Sequence, residues 1–198
     1  FDLNKLTWDD LVILARHLPF YIEERSLEEY TDDEIHMISH NFKEIGEIVI
    51  SLKNLVYKES DNWTNYVKGM FKIYKEKGHE ITKGLNILVY GTLPNSSGLS
   101  SSASLEVLAG TIIKHEYNLP LKDLEIVLDS KDVENNYVGV NCGIMDQFAI
   151  GMSKANKAIY LDTKTLDYEQ VPLELGDYKL LIANTNKKRT LADSKYNE

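Results

Sequence analysis

Residues 91–104 read GTLPNSSGLSSSAS, and no other stretch constrains this chain as much. They follow an apolar run of strand length at 85–90 and lead into 101–117, where Leu105, Leu108, Ala109, Ile112 and Ile113 recur at helical spacing. The unit is strand, turn, helix. Pro94, Asn95 and Gly98 are turn formers, while Ser100, Ser101 and Ser102 place hydroxyls at the helix entrance. A helix start carries unpaired N–H groups and the positive end of the backbone dipole, so this entrance suits an anion such as a phosphate. A plain N-cap among small polar residues is the commoner use of a lone Ser/Gly stretch. The stretch lacks the Gly-Lys-[Ser/Thr] ending of a Walker A loop, so any phosphate site here is of a different kind.

The flanking sequence alternates short strands with medium helices. Ile35 with Met37, and 48–50 with Leu52, suit two strands; 63–77 suits a helix through Tyr66, Val67, Met70, Phe71 and Tyr74, with Gly78 as its stop. Another helix is expected over 121–133, and short strands near 147–151, 158–162, 168–171 and 178–183, with the start of a helix at 191–198. The class is α+β.

Charge divides the chain unevenly. Of its 198 residues, 31 are Asp or Glu and 22 Lys or Arg, a formal net charge of −9 that argues against a general nucleic-acid binder. Residues 1–34 hold ten of the acids and three of the bases. We therefore expect an acidic helical segment over 1–33, with Thr7 as cap, Leu11, Leu14, Ala15 and Leu18 on one face and Pro19 closing it. The remaining residues, 34–198, read as one folded unit. A single cysteine, Cys142, excludes an internal disulfide framework and a cysteine-rich zinc site, and points to a reducing compartment. No run approaches the ~20 apolar residues of a membrane span, and the start at Phe1 has no signal-like core, so no membrane partner and a cytoplasmic location are expected.

A second segment carries chemistry. In VGVNCGIMDQF, residues 138–148, Asp146 follows the apolar pair Ile144 and Met145 and a flexible Gly143, which displays a carboxylate on an otherwise apolar turn. Such a group can accept or orient the proton of a hydroxyl; an Asp bracing a turn is the ordinary alternative. Cys142 reads as a small buried residue rather than a nucleophile, with no His near it in sequence.

These segments resemble a known family. PNSSGLSSSAS is similar to the second motif of the galactokinase, homoserine, mevalonate and phosphomevalonate (GHMP) kinases, and VGVNCGIMDQF resembles the galactokinase signature among them. WTNYVKG at 63–69 and NTNKKRTLADSKYN at 184–197 resemble two further galactokinase stretches. The resemblance implies a GHMP-kinase N-terminal domain, of the ribosomal protein S5 domain 2-like kind, with a mixed sheet packed on helices. It implies ATP and Mg2+ as cofactors and phosphorylation of galactose at its C1 hydroxyl. Ser96, Ser97, Gly98, Leu99, Ser100, Ser101 and Ser102 would cradle the phosphates and Trp63 would pack on adenine. Ser102 and Glu134 would hold the metal, Asp146 would be the catalytic carboxylate, and Gly143 and Tyr196 would contact the sugar. On spacing alone Glu134 is a solvated helical acid and Trp63 a core aromatic at a helix start.

The chain also departs from that family. Its N-terminal signature G-R-V-N-L-I-G-E-H-T-D-Y-N-G-G, with a charge-stabilising Arg, is absent from residues 1–33, and neither the third glycine-rich motif nor a C-terminal domain is recognisable. The resemblance thus implies a partial domain over 34–198, partnered by a missing C-terminal domain and a weak kinase alone. The alternative is a catalytically silent galactokinase-like sensor of ATP and galactose.

Overall fold

A computed structural model describes residues 33–91 and 98–183. Its first element, β1 (Glu34–Ser39), is the central strand of a three-stranded sheet, with β2 (Ile48–Ser51) antiparallel on one side and β3 (Leu85–Val89) parallel on the other. Register puts one face in common: Ile35 stands between Ile50 and Leu85, and Met37 between Ile48 and Ile87. Ile35, Met37, Ile50, Ile87 and Val89 are buried, whereas Ile38 and Val49 on the other face are exposed. This is the period-two pattern of a sheet covered on one side.

The cover is helical. In α1 (Thr64–Glu76) Val67, Met70, Phe71 and Tyr74 fall at i, i+3, i+4 and i+7 and are all buried. Gly78 ends it at φ +84°, its N–H donating to the Lys75 carbonyl while the His79 N–H donates to that of Tyr74. Helix α2 (Ser101–Glu116) is buried on every side from Ala103 to Gly110, because α1 and α3 (Asp123–Asp132) pack against it from different directions. Tight packing there depends on Gly110: a Cβ would stand 2.6 Å from Ile126 Cγ2 and 2.8 Å from the Tyr74 hydroxyl.

Helix α3 runs into a single π-helical turn, Val133–Val138, before α4 (Met145–Met152) and the antiparallel hairpin of β4 (Lys157–Leu161) and β5 (Tyr168–Pro172). The mixed sheet packed on helices agrees with the α+β expectation, as do β1 to β3, α1, α2 and the hairpin.

Two expected strands are not strands. Residues 147–151 belong to α4, whose inward positions Ile144, Gln147 and Phe148 follow helical rather than alternating spacing. Residues 178–183 form no strand; a ladder needs a neighbour, and no strand lies beside them among the described residues. Tyr178, Leu180, Leu181 and Ile182 are exposed instead, Leu181 at 90%. The helices expected near 7–19 and 191–198 lie outside the described residues. Among the described residues no helix is long and apolar enough to cross a membrane.

Candidate functional site

The site is built around the entrance to α2. Ahead of it Gly98 has φ +74°, and Ser100 lies at φ +58°, ψ 40°, a left-handed conformation that costs a non-glycine residue about 1–2 kcal/mol. The Ser100 carbonyl accepts the Ser104 N–H at 3.0 Å, so the helix ladder starts within the serine cluster. Leu99, Ser100, Ser101 and Ser102 are half-buried and Gly98 is exposed; Ser96 and Ser97 lie outside the described residues.

Upstream, the exit of β3 is clamped. Asn41, just past β1, accepts the Gly91 N–H on Oδ1 at 2.7 Å and donates from Nδ2 to the Gly91 carbonyl at 2.6 Å. Asn41→Ala would leave both backbone groups of a buried glycine unpaired, and should cost about 1–3 kcal/mol in urea unfolding. A loss below a few tenths of a kcal/mol would show that water replaces the clamp.

Facing the α2 entrance is the π turn. Its wider coil carries Val133 and Glu134 inward, and Glu134 is 2% exposed, so it is not the solvated acid that spacing suggests. Glu134 Oε2 accepts Gln147 Nε2 at 2.6 Å and the Cys142 thiol at 3.5 Å, and the Ser102 hydroxyl is near enough to favour the charged form of this carboxylate. Burial pushes its pKa up, opposed by the nearby Ser102 hydroxyl and the Cys142 thiol, and the Asp146 charge raises it further. Glu134 Oε1 is buried without a hydrogen-bond partner.

Asp146 itself is exposed in the first turn of α4 rather than on a loop, where the helix dipole favours a carboxylate. Gly143, just before α4, is exposed, with open space where a Cβ would point. Asn135 holds the intervening turn by accepting the Cys142 N–H at 2.9 Å and donating to the Cys142 carbonyl at 3.4 Å. Cys142 is half-buried rather than fully buried. Burial first, and then the Glu134 charge, push its thiol up to about 12, which leaves almost no thiolate at neutral pH. Iodoacetamide at pH 7.5 should accordingly leave Cys142 unmodified for as long as it takes to label an ordinary free thiol fully, as read by intact mass. Rapid alkylation would mean that the thiol is freer than this geometry allows.

The structure therefore brings Ser102, Glu134 and Asp146 into one neighbourhood. Trp63 heads α1 within the hydrophobic core, 7% exposed, its backbone N–H donating to Asn62 Oδ1 at 2.7 Å, so it is the core aromatic that spacing suggests rather than a ring open to adenine. Tyr196 lies outside the described residues. Three participants escape a reading of the sequence. Gln147 bridges α4 to the π turn. Tyr66 is raised to about 12 by burial and then by the charges of Glu134 and Glu106. Glu106, one helical turn after Ser102, is 0% exposed with neither carboxylate oxygen hydrogen-bonded. Its pKa is well above the ordinary range, through burial first and the Glu134 charge second. The signal for it was a lone acid inside the apolar stretch 103–110.

The donor set fits a hard divalent cation, which takes oxygen ligands. Glu134 Oε1, both Glu106 oxygens and Gln147 Oε1 are buried and unpartnered, and among the described residues no ion pair involves Glu106 or Glu134. No group of three or more His, Cys, Asp or Glu side chains suited to a metal occurs among the described residues. A cation here would thus complete its shell with oxygens that the protein does not supply, in the manner of Mg2+ held by one or two carboxylates plus substrate phosphates and water.

Comparison with known proteins gives a consistent result. The family model for the GHMP kinases N terminal domain matches residues 65–154. A galactokinase of Streptococcus suis is 57% identical over 84% of this chain and 43% of its own length, and one of Enterococcus faecalis is 55% identical with the same coverage. The chain thus spans less than half the length of the curated relatives it matches. Among solved structures, Lactococcus lactis galactokinase complexed with galactose superposes with a TM-score of 0.81 at 46% identity, over 89% of this chain and 44% of that one. A mevalonate kinase, at 22% identity and a TM-score of 0.60, shares the fold.

Proposed function

Because this chain belongs to the GHMP kinase family and is 57% identical to a galactokinase over 84% of its length, we propose that it works in a galactokinase, transferring the γ-phosphoryl group of ATP to the C1 hydroxyl of galactose. The observation that carries this is the convergence of Ser102, Glu134 and Asp146 at the entrance to α2, with Asp146 exposed and thus open to a substrate. The cradle from Ser96 to Ser102 places N–H groups and hydroxyls against the phosphates. Asp146 accepts the C1 hydroxyl proton as the oxygen attacks the γ-phosphorus, ADP departs, and galactose 1-phosphate forms. Gly143 and Tyr196 contact the sugar. Ser102 and Glu134 hold Mg2+, which when bound neutralises charge on the phosphates.

In the same reading the protein is cytoplasmic, residues 1–33 stand apart from the 34–198 domain, and a C-terminal domain of the same protein completes the sugar pocket. The test is made on the full-length protein. ATP with Mg2+, and galactose, should each raise its melting temperature, and the mixture should yield galactose 1-phosphate. Ligand-induced shifts without product would support a silent sensor instead; no shift with either ligand would remove both readings.

A further inference from the structure

The Ser102–Glu134 neighbourhood contains one buried group that the proposed reaction leaves unused. Glu106 projects from α2 four residues after Ser102, so the two lie one above the other on one face of the helix. Its carboxylate is fully buried, neither oxygen accepts a hydrogen bond of good geometry although the Gln147 side chain is near enough to favour its charged form, and the Glu134 charge acts on it. Gln147 lies beside both acids, spends its amide N–H on Glu134, and keeps its own oxygen buried and unpartnered. Tyr66, from α1, senses both charges. The buried base of α1, Lys68, is paired with Asp61.

Two buried carboxylates with no basic partner among the described residues repel each other and forgo hydration, which is costly unless a positive charge joins them. Four unpartnered oxygens from three elements, α2, the π turn and α4, meet that need for a cation that prefers oxygen.

We infer that Glu106 is the second carboxylate of the cation site: with Glu134 it supplies the negative charge that holds the divalent ion at the Ser102 hydroxyl. This rests on the cation reading given above, and it adds a residue that neither motif spacing nor resemblance assigned.

The test uses Mn2+ as the probe, titrated into full-length protein with a non-hydrolysable ATP analogue and followed by electron paramagnetic resonance. E106Q should weaken Mn2+ at least tenfold, as should E134Q, while metal-free nucleotide affinity stays within about twofold. E106D, which keeps the charge on a shorter stem, should recover part of the loss. Without metal, E106Q should melt at a higher temperature than the parent, because it removes a buried acid whose charged form burial and Glu134 both disfavour, and its gain on adding Mn2+ should shrink. Purely structural support by Glu106 would instead lower the metal-free melting temperature. Should E106Q prove unstable, E106D with unchanged Mn2+ affinity and a lowered melting temperature would overturn the inference by itself. Wild-type Mn2+ affinity in E106Q beside a weakened E134Q overturns only the role of Glu106. Wild-type affinity in S102A, E134Q and E106Q alike overturns the cation reading itself.

Discussion

Asp146→Asn in the full-length protein is expected to lower kcat for galactose phosphorylation by about 10² to 10⁴, with the affinity for ATP changed by no more than about threefold. The range corresponds to about 3–5 kcal/mol of barrier, at 1.36 kcal/mol per decade. Asp146 occupies the first turn of α4, exposed, while the side chains around it on that helix, Ile144, Gln147 and Phe148, are buried and fix the helix in place. Asn fills nearly the same space and keeps one acceptor oxygen, so packing and nucleotide binding should survive. What it lacks is a basic site for the hydroxyl proton. The substitution also removes a charge that raises the Glu134 pKa, so metal affinity should not fall. Steady-state kinetics with separate calorimetry of ATP binding decide the point. Unchanged turnover would remove Asp146 from proton transfer, and a parallel loss of ATP affinity would mean the substitution disturbs the fold of the site.

Much of this was legible in the sequence, and the reasons differ from element to element. The strands β1 to β3 stood out because one face of the sheet is covered and the other is not, so the residues alternate. Helix α1 stood out because its buried face repeats at 3.6 residues. Residues 147–151 misled because Phe148, Ala149 and Ile150 make a short apolar run that fits either element, and the deciding residue, Gln147, is polar yet buried by its bond to Glu134. Residues 178–183 misled because their apolar pattern says nothing about whether a neighbouring strand is present.

The site divides in the same way. Ser102 and Asp146 sit in segments whose composition already suggests an anion and a proton acceptor. Glu134 needed a resemblance, since its inward direction comes from a π turn, which leaves no periodic trace. Glu106 was hidden because its burial depends on α2 being surrounded by α1, α3 and α4, which is a property of the assembled domain and not of the helix.

Gly84→Ala should cost the domain about 3 kcal/mol or more, a large share of the ~5–15 kcal/mol that holds a domain together. Backbone freedom is not the reason, since Gly84 does not lie among the residues of positive φ. The reason is space. A Cβ at this buried position would stand 1.7 Å from the Glu34 carbonyl oxygen, 2.6 Å from its carbon and 2.8 Å from its nitrogen, all main-chain atoms of the first residue of β1. A side chain can rotate away from such a contact; a central strand cannot. Relief requires β1 and β3 to part where their parallel pairing begins, at Ile35 and Leu85, which uncovers Ile35 at the bottom of the core. The opposite end of the same pair, Ser39 beside Val89, leads directly to the Asn41 clamp on Gly91. Gly84→Ala should therefore shift the urea midpoint strongly and, in whatever fraction remains folded, leave the α2 entrance intact. A loss under about 1 kcal/mol would mean that the edge of this sheet yields more readily than a parallel pair closed by β2 on its far side should.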